Sequence, residues 1–219
     1  MAGKECVAIA SDLRFGVQLQ TLATDHKKVY KIHDQLFLGL SGLASDAETL
    51  SQRFKFKHTL YKLREERDIK PSAFAQLVSA TLYEKRFGPY FCQPVIAGLE
   101  PDGTPYLCGM DSIGAIETAK DFMIAGTASD ALLGICESLW RPDMGPEELF
   151  EVTAEALLSG QGRDCLAGWG AVHEGPDHRP AAQRADGVER ACAARLASLA
   201  GVPRPEFQRS PNKKAVGVT

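Results

Sequence analysis

The sequence lacks long apolar runs and has no surplus of basic charge. Its 219 residues carry 25 Lys and Arg against 28 Asp and Glu, which gives a formal net charge of -3. This balance argues against the strongly basic surface that binds nucleic acid. No run approaches the roughly 20 apolar residues that cross a membrane. The first residues do not form a signal-peptide pattern, because charged Lys4 and Glu5 interrupt them. We therefore expect neither a nucleic-acid partner nor a membrane.

Paired cysteine motifs are also missing. None of the six cysteines forms a Cys-x-x-Cys pair, and the five histidines show no metal-ligand spacing with them. Zinc sites usually have regular spacings, so we expect no metal and no cofactor. Most of the cysteines lie in apolar runs, which is typical of buried free thiols and favours a reducing compartment. They are Cys6, Cys92, Cys108, Cys136, Cys165 and Cys192.

The sequence does contain enough apolar residues, 44% of the total, for one sizeable domain. The run from Cys6 to Ala10 includes the β-branched residues Val7 and Ile9, and it predicts a strand that is buried on both faces. Asp12 and Arg14 follow at the point where side chains leave the core. The first part of the chain is organised around this strand.

Beyond it, the chain alternates between the periods of strands and helices. Ser45 and Glu48 have the spacing of a capping box at the start of a first helix, and Pro71 predicts the start of a second. Thr127 is the expected cap of a third helix, and Pro146 opens a fourth. Strands are expected at 17–20, 29–32, 36–40, 94–99, 106–110, 122–125 and from 167 to 172. This order predicts an α+β fold, a four-layer αββα sandwich of two antiparallel sheets between helix pairs.

The composition changes after Val172. Residues 173–219 are rich in Ala, Arg, Pro and Gly and have few β-branched or aromatic residues. We expect a folded domain at 1–172 and an atypical tail at 173–219, with an Ala-rich helix over 186–199 and the remainder disordered. A change this abrupt suggests a shifted reading frame, an unusual splice form or an error in the gene sequence.

Seven collinear segments, which together span about residues 3–172, resemble proteasome beta subunits. The segments are KECVAIASDLRFG, TDHKKVYKI, LFLGLSGLASDAETL, LYEKRFGPYF, QPVIAGLEPDG, AGTASDALLGICESLW and GRDCLAGWGAV. The resemblance implies the N-terminal nucleophile hydrolase fold, which agrees with the layers that periodicity predicts. The YEKRFGPY and CESLW blocks most resemble a type of beta subunit that serves structurally.

The resemblance also implies where catalytic residues would lie. Catalytic members of the family use a processed N-terminal Thr whose own amine is the base, supported by an Asp, a Lys and a downstream Asp-x-x-Ser-Gly element. Asp12 and Lys28 match the first two, and Asp164 and Gly168 match the downstream element, in which Ala167 replaces the Ser. Each also has a plainer interpretation, Asp12 as a partner of Arg14 or a turn cap, Lys28 as a pairing lysine and Asp164 as a turn residue.

The family's first strand and its Thr would precede Lys4, and both are missing from this sequence. Cys6 cannot replace the Thr, because it lies inside a buried strand without a free amine. We therefore expect no catalytic residues, only the remnants Asp12, Lys28, Asp164 and Gly168.

The resemblance implies a non-catalytic subunit of the proteasome core particle in the cytoplasm and nucleus. Its partners would be alpha and beta subunits in stacked seven-membered rings. One alternative is an altered product that does not assemble, and another is a free N-terminal nucleophile amidohydrolase. Arg86, Tyr83 and Tyr90 form either an interface cluster or an ordinary helix-end surface.

Overall fold

A computed structural model describes residues 1–161, 163–164, 166 and 170–175. This part of the chain forms strands and helices in the order that the sequence predicts. The strands are β1 Ala2–Gly3, β2 Cys6–Asp12, β3 Phe15–Val17, β4 Gln20–Ala23, β5 Val29–His33, β6 Leu36–Gly42, β7 Cys92–Leu99, β8 Pro105–Met110, β9 Ile116–Ala119 and β10 Gly170–Gly175. The helices are α1 Ala44–Glu65, α2 Pro71–Tyr83, α3 Ser129–Leu139 and α4 Pro146–Gln161.

Two antiparallel sheets form the centre of the fold. One has the strand order β5-β6-β7-β8-β9, and the other has the order β1-β2-β10. β3 and β4 form a separate two-stranded hairpin. Within the described residues, no helix is both long enough and apolar enough to cross a membrane.

The alternation of side chains along a strand explains how the five-stranded sheet packs against the helices on one face and against the second sheet on the other. Successive side chains of a strand point to opposite faces of the sheet. On β6, Leu36, Leu38 and Leu40 therefore join the cluster that contains Phe54 of α1 and other residues of α1 and α2. Phe37 points the other way and packs in a cluster with residues of β2, β7 and β8.

β2, the central strand of the second sheet, is likewise buried on both of its faces. Val7 and Ile9 pack against the five-stranded sheet, whereas Cys6 and Ala8 pack against Met144 and the α4 residue Leu149. The layer order is thus helix pair, sheet, sheet and helix pair, which confirms the predicted αββα sandwich.

The start of α1 differs from the prediction. The helix begins at Ala44 with Leu43 as its N-cap, and no side chain caps it, so the capping box at Ser45 is wrong. The carboxylate of Asp46, in the first turn, accepts a hydrogen bond of 2.9 Å from the backbone N–H of Phe91. This residue of the first turn therefore joins the helix start to the chain that leads into β7.

Two further local predictions are wrong. Residues 122–125 are not a strand, and the sheet is instead extended by Ile116–Ala119, which pairs with β8. Leu19 lies in a turn, because Gln18 has a left-handed φ of 52° that reverses the chain between β3 and β4.

The structure also differs in detail from the prediction at the two ends of the expected domain. A first strand is expected to be missing, yet the two residues Ala2 and Gly3 pair antiparallel with β2, to which they are joined by a turn in which Glu5 has a φ of 55°. At the other end, β10 runs across the expected boundary at 172, because it pairs with β2 from Asp12 to Val7. The domain boundary itself stays a prediction, and the tail after residue 175 lies outside the described residues.

Phe54 and Phe56 allow a direct test of the α1 packing. Phe54 is fully buried and makes an edge contact with Phe74, whereas Phe56, two residues later, is 66% exposed. Phe54→Ala should lower the free energy of unfolding by about 3–5 kcal/mol. Phe56→Ala should change it by no more than about 0.5 kcal/mol. Denaturant unfolding of the two variants measures the difference, and equal costs would contradict this assignment of the buried face.

A histidine pair ties β5 to α1 and to the link between the helices. The rings of His33 and His58 stack with centroids 5.4 Å apart. His33 Nε2 lies 3.0 Å from the carbonyl of Ile69, and its Nδ1 accepts from the backbone N–H of Gln35 at 3.2 Å. These contacts fit the neutral ring with its proton on Nε2. Burial lowers the pKa of His33 below its ordinary value.

The lowered pKa of His33 predicts a pH-dependent stability. The unfolded chain binds a proton at His33 more readily than the folded chain does, so the stability is complete above about pH 6.5 and falls as the pH drops towards the folded pKa. His33→Gln should therefore reduce the loss of stability between pH 7.5 and pH 5. Urea midpoints measured across this range test the idea, and identical slopes for the two chains would exclude it.

Candidate functional site

The predicted site residues surround a cavity of about 1080 Å³ at one end of the sandwich. Its walls come from the end of β2, the start of β5, the end of β6, the segment before α3, and α4. Three of the four remnants, Asp12, Lys28 and Asp164, line this cavity. Gly168 and the neighbouring Ala167 lie outside the described residues. The fold thus brings together residues that are far apart in the sequence.

Asp12 and Lys28 form an ion pair on the cavity wall. The Lys28 ammonium donates to Oδ1 of Asp12, and both side chains are largely buried, with 25% and 19% of their surfaces exposed. The fold fixes both ends, because Asp12 terminates β2 and the Lys28 carbonyl accepts from the backbone N–H of Leu40 at 2.9 Å. Lys28 is therefore a pairing lysine, and its partner is Asp12, for which the sequence suggested Arg14 or a turn instead.

Arg14 does not pair with Asp12 through its side chain. Only its backbone N–H reaches the Asp12 carboxylate, at 3.3 Å. The guanidinium instead donates to Thr21 Oγ1 at 2.8 Å, to the Gln18 carbonyl at 2.9 Å and to the Leu166 carbonyl at 3.1 Å. Arg14 thus fastens the β3–β4 hairpin to the segment that carries Asp164, a role that the sequence pattern did not indicate.

Asp164 acts as a turn residue that also holds the opposite wall. Its Oδ1 accepts from the backbone N–H of Leu166 at 2.9 Å, and its Oδ2 accepts from the Thr127 hydroxyl at 2.6 Å. Thr127 is therefore not the cap of α3, which begins at Ser129 with Ala128 as its N-cap. Gly126, with a φ of 114°, turns the chain just before Thr127. That glycine was the available signal for a turn rather than a helix start.

Several of the hydroxyls and thiols around the cavity are engaged in hydrogen bonds or buried. Ser41 donates to the Gln93 carbonyl, and Thr153 donates to the Leu149 carbonyl. Burial raises the pKa of Cys92 to about 11, so this thiol stays protonated at neutral pH. A protonated thiol is a poor nucleophile. Burial also raises the pKa of Cys136.

The Thr127 hydroxyl donates to a carboxylate rather than to a histidine or an amine. Among the described residues that line the cavity, no hydroxyl or thiol is hydrogen-bonded to a histidine or an amine. These residues therefore lack the activated nucleophile that acyl transfer requires. The described residues also contain no cluster of three or more His, Cys, Asp or Glu that could hold a metal ion.

The coupling between Asp12 and Lys28 can be measured with a double-mutant cycle. Lys28→Met should cost about 1–2 kcal/mol, between the values for exposed and fully buried pairs, because it leaves the carboxylate without its ammonium. Adding Asp12→Asn should recover part of this loss. Lys31→Met breaks the exposed Lys31–Asp34 pair and should leave the stability almost unchanged. Strictly additive costs for Asp12 and Lys28 would contradict a coupled pair.

Comparison with known proteins shows the relationship of the chain. The proteasome subunit family matches residues 1–173. "Proteasome subunit beta type-3" of Picea mariana is 66% identical over 170 residues, covering 78% of this chain and 83% of the relative. "Probable proteasome subunit beta type-3" of Schizosaccharomyces pombe is 56% identical over 172 residues, and "Proteasome subunit beta type-3" of Saccharomyces cerevisiae is 53% identical over 173. Both of these matches cover 78% of this chain and 84% of the relative.

The match and the fold agree closely in extent. The family covers the whole sandwich up to the middle of β10, and it includes Asp12, Lys28 and Asp164. A match over most of the chain, at more than half identity to several curated beta subunits, shows the family. The chain belongs to the proteasome subunit family, in its beta-type branch.

Proposed function

We propose that this chain is a structural, non-catalytic subunit of the proteasome core particle and that it occupies one fixed place in a ring of seven beta subunits. In this role it contacts neighbouring beta subunits, the alpha ring and the opposed beta ring. Other subunits hydrolyse peptide bonds in the chamber that the rings enclose. The chain itself contributes surfaces that hold the compartment closed, and it needs no cofactor. We place it in the cytoplasm and the nucleus as part of the same proposal.

The observation that carries the proposal is the 66% identity to a beta type-3 proteasome subunit over 170 residues. The cavity supports the non-catalytic part. Asp12 and Lys28 form an ion pair with each other, and the lining hydroxyls Ser41 and Thr153 donate to backbone carbonyls. An enzyme of this type needs a nucleophile within reach of a histidine or amine base, and no described hydroxyl or thiol of the cavity is hydrogen-bonded to one.

The proposal is tested by the native mass of the chain recovered from its own cells. A tagged chain should co-migrate with alpha and beta subunits in a particle of several hundred kilodaltons. A covalent β-lactone or vinyl-sulfone probe applied to that particle should label the catalytic beta subunits and leave this chain unlabelled. The labelled subunits in the same sample are the internal control.

Two results would contradict the proposal in different ways. Recovery of the chain only as a monomer or aggregate would mean that this product does not assemble, as an altered frame or splice form would behave. Labelling of the chain by the probe would show a live nucleophile and would favour an N-terminal nucleophile hydrolase activity instead.

A further inference from the structure

The end of α2 and the segment that follows it, up to β7, expose three aromatic side chains within nine residues. Tyr83 is 63% exposed, Phe87 is 100% exposed and Phe91 is 69% exposed. Single exposed apolar residues are common on protein surfaces, but a group of large ones marks an interaction site. We call residues 83–91 the aromatic loop. Neither the cavity nor the core uses Tyr83 or Phe87.

The aromatic loop is ordered by its own backbone. The N–H of Lys85 donates to the Leu82 carbonyl at 3.0 Å, that of Arg86 donates to the Tyr83 carbonyl at 3.1 Å, and that of Gly88 donates to the Lys85 carbonyl at 3.0 Å. These consecutive turns continue the path of α2. Their i→i+3 bonds are those of 3₁₀ turns, and they fix the backbone on both sides of Phe87.

The far end of the loop is joined to α1. The Phe91 N–H donates to the Asp46 carboxylate at 2.9 Å, and the Phe91 carbonyl accepts from the Leu43 N–H at 2.8 Å. Tyr90 accepts from the Arg53 guanidinium at 3.1 Å. A loop fixed at both ends loses little conformational freedom when a partner binds it. Phe87 is thus a preformed apolar projection.

The charges next to Phe87 are positive. Lys85 and Arg86 are both exposed, and the Arg86 guanidinium lies 5.7 Å from the centroid of the Phe87 ring, within the range of a cation–π contact. The Glu84 carboxylate is directed to Arg53, 3.6 Å away. The loop therefore presents positive charge on a chain whose net charge is -3. A complementary surface must be apolar at its centre and acidic at its rim.

We propose that the aromatic loop docks on a neighbouring subunit of the proteasome core particle, where Phe87 enters an apolar pocket and Arg86 pairs with carboxylates at its rim. This inference rests on the proposed function. Aromatic and Arg side chains are enriched at the centres of protein interfaces, where a few of them supply most of the affinity. Phe87 and Arg86 have this composition and are adjacent on one ordered loop.

Competitive incorporation into core particles tests the proposal. Full-length chains with Phe87→Ala or Arg86→Glu are co-expressed with differently tagged unmodified chain, and the ratio of the two in purified particles is measured. Each variant should incorporate at least about tenfold less than the unmodified chain. Phe87→Leu and Arg86→Lys keep the apolar bulk and the charge, and both should recover most of the incorporation. Lys31→Glu reverses an exposed charge on β5 and should incorporate normally.

Folding is checked separately, so that a loss of incorporation reports on docking. Phe87 is fully exposed, and the thermal unfolding midpoints of the Phe87→Ala and Arg86→Glu chains should match that of the unmodified chain. Normal incorporation of both variants, in cells where the unmodified chain enters particles, would overturn the docking proposal alone. Absence of the unmodified chain from particles would overturn the proposed function and the docking surface together.

A photo-crosslinker at position 87 identifies the partner directly. In purified particles it should link this chain to one alpha or beta subunit at an apolar site flanked by Asp or Glu. A link to a protein outside the particle, or no link to any subunit of the intact particle, would contradict the proposal.

Discussion

The burial of β2 on both faces is the constraint on which the rest of the structure depends. Val7 and Ile9 face the five-stranded sheet, and Cys6 and Ala8 face the layer of α3 and α4. A strand in this position has no place for a charge along its interior, because burying a charge without a partner is costly. The first charged side chain after the apolar run therefore appears where the strand ends, at Asp12. The same strand pairs with β1 on one side and β10 on the other, so its path sets both edges of the small sheet.

The Asp12–Lys28 ion pair follows from that geometry. Asp12 leaves the sandwich at the edge of the cavity, and the start of β5 brings Lys28 to the same wall. The resemblance to catalytic relatives assigns such an Asp and Lys to the tuning of a terminal amine. Here their opposite charges neutralise each other at a partly buried position, and Asp164 holds Thr127 across the cavity. Asp12, Lys28 and Asp164 thus stabilise the cavity wall, a role that requires no catalytic chemistry.

The layers could be predicted from the sequence because burial imposes a period on it. The continuous apolar run in β6 indicates a strand that is buried on both faces, and the spacing of Phe74, Val78 and Leu82 in α2 indicates one buried face. The two wrong helix starts lie beside contacts of a different kind. Asp46 and Thr127 bond to residues far along the chain, Phe91 and Asp164. Local capping rules do not contain such contacts. The role of Arg14 was missed for the same reason, because its three acceptors meet only in the folded chain.

Burial also distinguishes the residues of the core, which stabilise the fold, from the exposed aromatic residues that follow α2. Leu50, Phe54 and Leu82 are fully buried and belong to the core. Phe87 lies only five residues beyond Leu82, yet its whole side chain is in solvent. Folding gains nothing from a fully exposed aromatic ring, since the hydrophobic effect depends on the apolar area removed from water. The ring nevertheless stands on a loop that backbone hydrogen bonds and the Asp46 and Arg53 side chains hold in place. An ordered loop that presents apolar area without burying it is explained by association, in which a second subunit removes that area from water.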